Sequence, residues 1–304
     1  MASTGLDVAY LTAAMTNFTN CRTIFIGDWG CSLSRPESPP WGLSRLQNEI
    51  CFELEPWILR PSGVVFAKRA ITALLSSVIG GRLPLEHLQI DFAHFPFTPF
   101  RMPSSIPHTA LCIPQLLAIQ APGALHSVSK LHLSLSSEYM EDIEPGLGTN
   151  GWDSDVADSV HLFPSVSDLA VKVCRGLEDS NSINLWDLSM LHAPNLKTFV
   201  LQGFEGEGGD LADVLRRHGA SLNDLALDNI KITQSESAWS TVVQVVRDEL
   251  SGCNIQLTDC AFEGYYLEIP NFSCADSSSD NSFLQATTHG ELTDLYDKLV
   301  DLES

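Results

Sequence analysis

Seven short segments of the chain place an apolar or small residue at relative positions 0, +3 and +5. The best-kept copy is Leu222, Leu225 and Leu227, followed by Ile230 and Ile232. Leu196, Phe199 and Leu201 precede Phe204; Val166, Leu169 and Val171 precede Val173; Val128, Leu131 and Leu133 precede Leu135; Leu85, Leu88 and Ile90 complete the clear set. Cys21/Ile24/Ile26 and Gly252/Ile255/Leu257 are degenerate copies. In a strand, residues +3 and +5 share one face and those between them share the other. The residue at 0 sits ahead of the strand and turns the chain inward. Copies stacked in parallel produce one continuous inward row and one open face, which is the logic of a leucine-rich repeat.

The clear copies start at 85, 128, 166, 196 and 222, at intervals of 43, 38, 30 and 26 residues. Leucine-rich repeats run about 20–29 residues, so only the last interval is regular. The expected fold is therefore α/β: an irregular leucine-rich-repeat-like solenoid with parallel strands and intervening helices. The competing explanation is that apolar triplets of this kind arise by chance in any α/β protein.

Helical periodicity between the strands supports the repeat. Ile71, Leu74, Leu75, Val78 and Ile79 lie on one helical face, with Lys68 and Arg69 ahead and a stop at Gly80–Gly81. Leu211, Val214 and Leu215 predict a shorter helix with Asp210 and Asp213 early and Arg216, Arg217 and His218 late, a charge order that suits the helix dipole. Gly219 just after it suits a left-handed C-cap. A third helix is expected over Ser237 to Leu250, with Trp239, Val242, Val243, Val246 and Leu250 on one stripe. Strands and helices alternating across 196–257 imply right-handed parallel crossovers.

Three stretches interrupt this rhythm. Residues 29–62 set Trp29, Trp41 and Trp57 among prolines, and residues 92–107 interleave Phe92, Phe95, Phe97 and Phe100 with Pro96, Pro99, Pro103 and Pro107. They read as caps over an open solenoid end or as an exposed docking surface. Residues 137–159 carry seven acids and no Lys or Arg, which predicts a long solvated loop. The expected division is a repeat domain over 1–272 and a tail over 273–304. In that tail a Ser/Asp-rich linker precedes a short amphipathic helix on Leu292, Leu295, Tyr296 and Leu299, either docked or free.

Composition narrows the partners. A net charge of −21 would repel phosphate, which argues against nucleic acid and anionic membranes and for neutral or basic protein partners. Eight cysteines with no CxxC pair fit neither a zinc framework nor a disulfide scaffold. No secretory signal is evident in Met1–Tyr10 and no apolar run has membrane-spanning length, so a reducing cytoplasmic or nuclear location is expected.

Candidate chemistry is sparse. Gly203-x-x-Gly206-x-Gly208-Gly209 follows a strand and precedes a helix, but its glycines are in the wrong order for a dinucleotide fingerprint and no Walker lysine follows. Glu205, Glu207 and Asp210 oppose phosphate there, so an acidic turn is expected. Asp153-x-Asp155 with Asp158 lacks the glycine and glutamate of a calcium loop. No nucleophile elbow, HExxH or Cys/His signature occurs. We accordingly expect no catalytic residue, no cofactor and no metal. What remains is the open face, in three columns. The first holds His87, Lys130, Asp168, Thr198 and Asp224; the second Gln89, His132, Ala170, Val200 and Ala226; the third Asp91, Ser134, Lys172, Gln202 and Asp228. Mixed polar, small and charged side chains suit protein recognition.

The run from Leu196 to Gly206, then Leu211–His218 and Leu222–Ile230, resembles the C-terminal leucine-rich-repeat-like region of fungal F-box proteins. Trp239–Leu250 and Pro40-Trp41-Gly42 add to the likeness, which covers about residues 20–270. The resemblance implies a substrate adaptor of a ubiquitin ligase, recruited to a Skp1-type partner through an N-terminal F-box. That module would open with a Leu-Pro pair ahead of two amphipathic helices. Residues 1–20 do not supply it, so no F-box residue is carried over. Two functions follow as expectations. The first is a non-enzymatic protein-interaction scaffold, in its fullest form a ligase adaptor. The alternative is an α/β enzyme with a site at the carboxyl ends of its strands, assembled from residues distant in sequence.

Overall fold

The computed structural model of the chain describes residues 6–18, 20–26, 61–91, 108–136, 151–174, 183–233, 239–250, 252–262, 265–267 and 283–303. The aromatic–proline stretch 92–107, nearly all of 29–62 and the Ser/Asp-rich stretch 273–282 lie outside the described residues. In chain order the strands are β1 Thr23–Ile26, β2 His87–Ile90, β3 Lys130–Ser136, β4 Asp168–Cys174, β5 Thr198–Gln202, β6 Glu205–Gly206, β7 Asp224–Asp228, β8 Lys231–Ile232, β9 Asn254–Thr258, β10 Ala261–Phe262, β11 Tyr265–Tyr266 and β12 Phe283–Ala286. The helices are α1 Leu6–Met15, α2 Pro61–Gly81, α3 Gln115–Ala124, α4 Trp152–His161, α5 Gly208–His218, α6 Trp239–Asp248 and α7 His289–Glu303, with 3-10 turns at His108–Leu111 and Leu185–Leu188.

The architecture is α/β. An eight-stranded sheet runs in the order β1-β2-β3-β4-β5-β7-β9-β12 and is parallel throughout except for β12, which pairs antiparallel with β9 at one edge. Every clear copy of the apolar triplet is buried: Leu85, Leu88 and Ile90 through Leu222, Leu225 and Leu227. Of the degenerate copies, Ile255 and Leu257 are buried, Ile24 and Ile26 are half-buried, and Gly252 is exposed. One hydrophobic cluster joins this row to residues of the helices, including Ile71, Val78, Val156, Leu211, Leu215, Val242 and Leu295. The helices therefore cover one face of the sheet, as burial of a one-sided strand requires.

The strand ends follow a common plan on the C-terminal side. Strands β5, β7 and β9 each exit through a residue with left-handed backbone, Gly203 (φ 84°), Asn229 (φ 50°) and Asp259 (φ 50°). Asn and Asp tolerate this region better than other side chains do. Each turn buries its next residue, Phe204, Ile230 or Cys260, and then adds a two-residue strand to a second sheet of order β11-β10-β8-β6. Backbone bonds link one turn to the next: Gly203 N–H to the Asp228 carbonyl at 3.0 Å, and Asn229 N–H to the Thr258 carbonyl at 2.8 Å. At Gly203 a Cβ would lie 2.2 Å from the Val173 carbonyl oxygen, so only glycine fits there. The indole N–H of Trp239 donates to the Ala261 carbonyl at 3.0 Å and holds α6 against β10.

Several expectations need correction. Residues 152–161, placed in the long acidic loop, form α4, with Trp152, Asp155, Val156 and Val160 buried. Their acids alternate with apolar residues on a helical period, and one of the acids points inward. Gly219 is right-handed (φ −57°), so it is no left-handed cap. It allows close approach instead, because a Cβ there would lie 2.7 Å from Leu250 Cδ2. His218 is not a surface cation at the end of α5 but is buried. Its Nδ1–H donates to the Val214 carbonyl at 2.9 Å, while Nε2 accepts from the Ala193 N–H at 3.1 Å, so the neutral ring satisfies both. The C-terminal helix is docked: Leu292, Leu295 and Leu299 are buried, and the Arg247 guanidinium of α6 lies 4.3 Å from the centre of the Tyr296 ring. Glu291 closes a capping box with Thr288 at its start, and the backbone and hydroxyl of Thr287 and the Thr288 N–H hold its carboxyl down at about 2.

Replacing Gly203 by Ala should lower unfolding free energy by about 3 kcal/mol, since left-handed strain and overlap with a carbonyl add. Asn229→Gly should stay within about 1 kcal/mol of the parent. Equal losses in urea unfolding would contradict the turn geometry. Burial lowers the pKa of His218 from its ordinary 6.5, with His192 and Arg217 adding to burial and the Val214 bond opposing it. The stability this histidine contributes is therefore complete above about pH 6.5 and is lost as pH falls toward the lower folded value. The stability advantage of the parent over His218→Gln should shrink as pH falls from 7.5 to 5.5. A constant or growing difference would refute the neutral buried ring.

Candidate functional site

The face of the sheet opposite the helices carries the three expected columns in register. The pairing runs His87↔Lys130↔Asp168↔Thr198↔Asp224 along the first and Gln89↔His132↔Ala170↔Val200↔Ala226 along the second. In the third, Ser134↔Lys172↔Gln202↔Asp228 pair, while Asp91 lies one residue past the end of β2 and donates its N–H to the Ile26 carbonyl at 2.9 Å. Two further strands extend the face beyond the residues that the sequence singles out. Asn254, Gln256 and Thr258 of β9 continue the three columns, and Phe25 of β1 sits beside Gln89. The degenerate copy starting at Gly252 held that signal, because its intervening residues alternate polar against apolar.

Exposure along the face is uneven. Lys130 and Asp224 are exposed, and His87, Gln89, Asp91, His132, Asp168, Lys172, Thr198, Gln202 and Asp228 are half-buried. Ser134, expected on the open face, is only 2% exposed and forms the floor of a notch with Gln89, Asp91, His132 and Lys172 around it. Its short side chain is overtopped by the longer ones on either side. That notch holds about 20 Å³, room for roughly one water molecule.

Charge is paired within the columns. Asp168 lies 3.7 Å from Lys130 Nζ and 3.6 Å from His132 Nε2. His132 meets the His87 ring edge-on with centroids 5.0 Å apart. Burial, then His132 and Lys130, lower the pKa of His87 against the opposing pull of Asp168, which keeps this ring neutral at neutral pH. Asp228 is shifted upward, first by burial and then by Asp259, with Lys172 opposing. At the other end Asn254 Nδ2 donates to Asp224 at 2.8 Å. The face thus carries paired charge around Lys130, His132 and Asp168 and a more acidic end at Asp224 and Asp228.

Several candidate groups away from this face are buried or paired. Cys253 and Cys260 are buried, and burial pushes both thiols up to about 12, so neither is a thiolate at neutral pH. His108 and Asp155 form a buried pair at 2.8 Å that ties the first 3-10 turn to α4. The Asp155 carboxylate, a calcium candidate by its spacing from Asp153, is thus committed to His108. Gly203, Gly206 and Gly208 are set in the turn, in β6 and at the start of α5. Among the described residues, no group of three or more His, Cys, Asp or Glu side chains is placed to hold a metal ion. Among the same residues no helix is long and apolar enough to cross a membrane. No protein-family model matches the chain, and no curated protein matches it significantly.

Proposed function

We propose that this chain is an irregular leucine-rich-repeat-like solenoid that works as a non-enzymatic protein-interaction scaffold through the open face of its sheet. The observation that carries the proposal is the set of columns held in register, mixed in charge and for the most part half-exposed or exposed, over an inward row that is wholly apolar. The strand–turn–strand unit at 198–206, 224–232 and 254–262 supports the solenoid, since three successive copies share backbone conformation and register. In the third copy Cys260 falls where a leucine-rich repeat carries its Asn or Cys. The free, buried state of Cys253 and Cys260 suits a reducing intracellular compartment. The single-water size of the notch at the carboxyl ends of β2–β4 favours a surface that docks on protein over one that encloses a substrate. The fullest form of the proposal, from the resemblance to fungal F-box proteins, is a substrate adaptor of a ubiquitin ligase joined to a Skp1-type partner.

The test uses affinity capture from fungal lysate with the parent chain and with His132→Ala/Lys172→Ala. Both side chains stand half-exposed on the face, so the double variant should keep its melting temperature within about 3 °C. Proteins held by the parent should fall at least about tenfold with the variant. Retention of the same proteins by both chains, or no reproducible capture by the parent, would overturn the scaffold proposal. Recovery of a Skp1-type protein with a cullin supports the adaptor form.

A further inference from the structure

Helix α3 rests on the core through Leu117, Ala118 and Ala121, the last of them wholly buried. Its other side is uncovered. Leu116 is 78% and Ile119 72% exposed, and no large apolar side chain among the described residues is more exposed than Leu116. Gln115 and Gln120 are exposed beside them. At about 100° per residue the four side chains fall within an arc of about 140°, in the order Gln115, Ile119, Leu116, Gln120. The outer face of α3 is therefore an apolar pair between two glutamines. Neither apolar side chain is needed to hold the helix, whose packing is on the opposite side, and leaving both in water forgoes the gain of burying them.

The neighbours of α3 share its lack of charge. No Asp, Glu, Lys or Arg occurs in Met102–Ser129, Val8–Cys21 or Ala70–Gly81, although the chain has 38 acidic and 17 basic side chains. These stretches hold α3, nearly all of α1 and the second half of α2, and α2 packs against both of the others. Helices α5, α6 and α7 each carry acids and bases. At a net charge of −21, two copies of this chain repel wherever their acidic surfaces meet. An uncharged helix face is where such copies can approach, whereas a basic partner would be drawn to the acidic surfaces instead.

The pattern on α3 also matches itself. Gln115-Leu116-Leu117-Ala118-Ile119-Gln120 keeps its polar and apolar order when read in either direction. Two antiparallel copies related by a two-fold axis between Leu117 and Ala118 would set Leu116 against Ile119 of the second copy and Gln115 against Gln120. A side-chain amide both donates and accepts, so glutamine satisfies glutamine. Such a contact is isologous, each copy offering the same patch, and its apolar centre with polar sides has the layout of an interface.

We propose that α3 is a self-association surface, on which a second copy of this chain packs against Leu116 and Ile119 as an antiparallel helix pair about a two-fold axis. The surface lies on the helix side, apart from the open face, and does not depend on the function proposed there. One helix face is less than a permanent dimer buries, so the pairing is reversible and grows with concentration. Screening of the like charges strengthens it, the reverse of a contact built on ion pairs.

The test is sedimentation equilibrium of the full chain between about 10 µM and about 1 mM, at about 50 mM and about 500 mM NaCl. The average mass of the parent should climb toward twice the monomer value, with a larger association constant at the higher salt. Leu116→Gln/Ile119→Gln should lower that constant at least about tenfold while its melting temperature holds, since both positions are exposed. Gln115→Glu/Gln120→Glu should lose the association, whereas Gln115→Lys/Gln120→Glu should keep it, because each lysine then faces a glutamate of the second copy. A parent that stays monomeric throughout would overturn the proposal, including one that instead binds phosphatidylcholine vesicles. Undiminished association of folded Leu116→Gln/Ile119→Gln would overturn the place given to α3. Equal association of the two charge variants would overturn the antiparallel two-fold arrangement.

Discussion

Leu131, Leu169, Phe199 and Leu225 stand side by side on adjacent strands, and Leu133, Val171, Leu201 and Leu227 form the next rank, none more than 3% exposed. Each such side chain contributes roughly 1.5–3 kcal/mol when removed from water, and each is covered by its neighbours in the row as well as by helices. Truncating one leaves a gap that the strands on either side share, at about 2–5 kcal/mol for Leu→Ala. Since side chains alternate with a period of two, this row also dictates what faces the other way. His132, Lys172, Gln202 and Asp228 share a surface because the leucines between them must not.

The crossovers are free to vary because they need only return the chain to the next position in the row. That is why intervals of 43 and of 26 residues feed the same register. The tolerance ends at the turns, where Gly203, Asn229 and Asp259 must adopt left-handed backbone to pass the chain into the second sheet. The edges are finished differently. Strand β12 reverses direction against β9, and α7 then packs Leu292, Leu295 and Leu299 over the last of the core, with Arg247 and Tyr296 in contact across α6 and α7.

The inward row was legible because its spacing repeats, and the open columns followed from it without further information. The elements that escaped notice had no such period. The 3-10 turn at Leu185–Leu188 is four residues long, and β12 is a single short strand after a polar stretch. Helix α4 was hidden by its acids: Asp155 looks like a loop residue until His108, 47 positions earlier, is placed beside it. His218 misled for a similar reason, because its basic neighbours Arg216 and Arg217 suggested a charged helix end and its partner Ala193 is remote in sequence. Ser134 took its place on the open face by register, yet its depth there is set by the length of the side chains beside it.

If the stacked row is what the remaining structure depends on, its strands should be the last to open. Native-state hydrogen exchange measures this residue by residue. The slowest exchange is expected at the amides of Leu131–Leu135, Leu169–Val173, Phe199–Leu201 and Leu225–Leu227, with β1 and α7 opening well before them. Amides of these four strands exchanging as fast as those of β1 and α7 would contradict the dependence of the fold on that row.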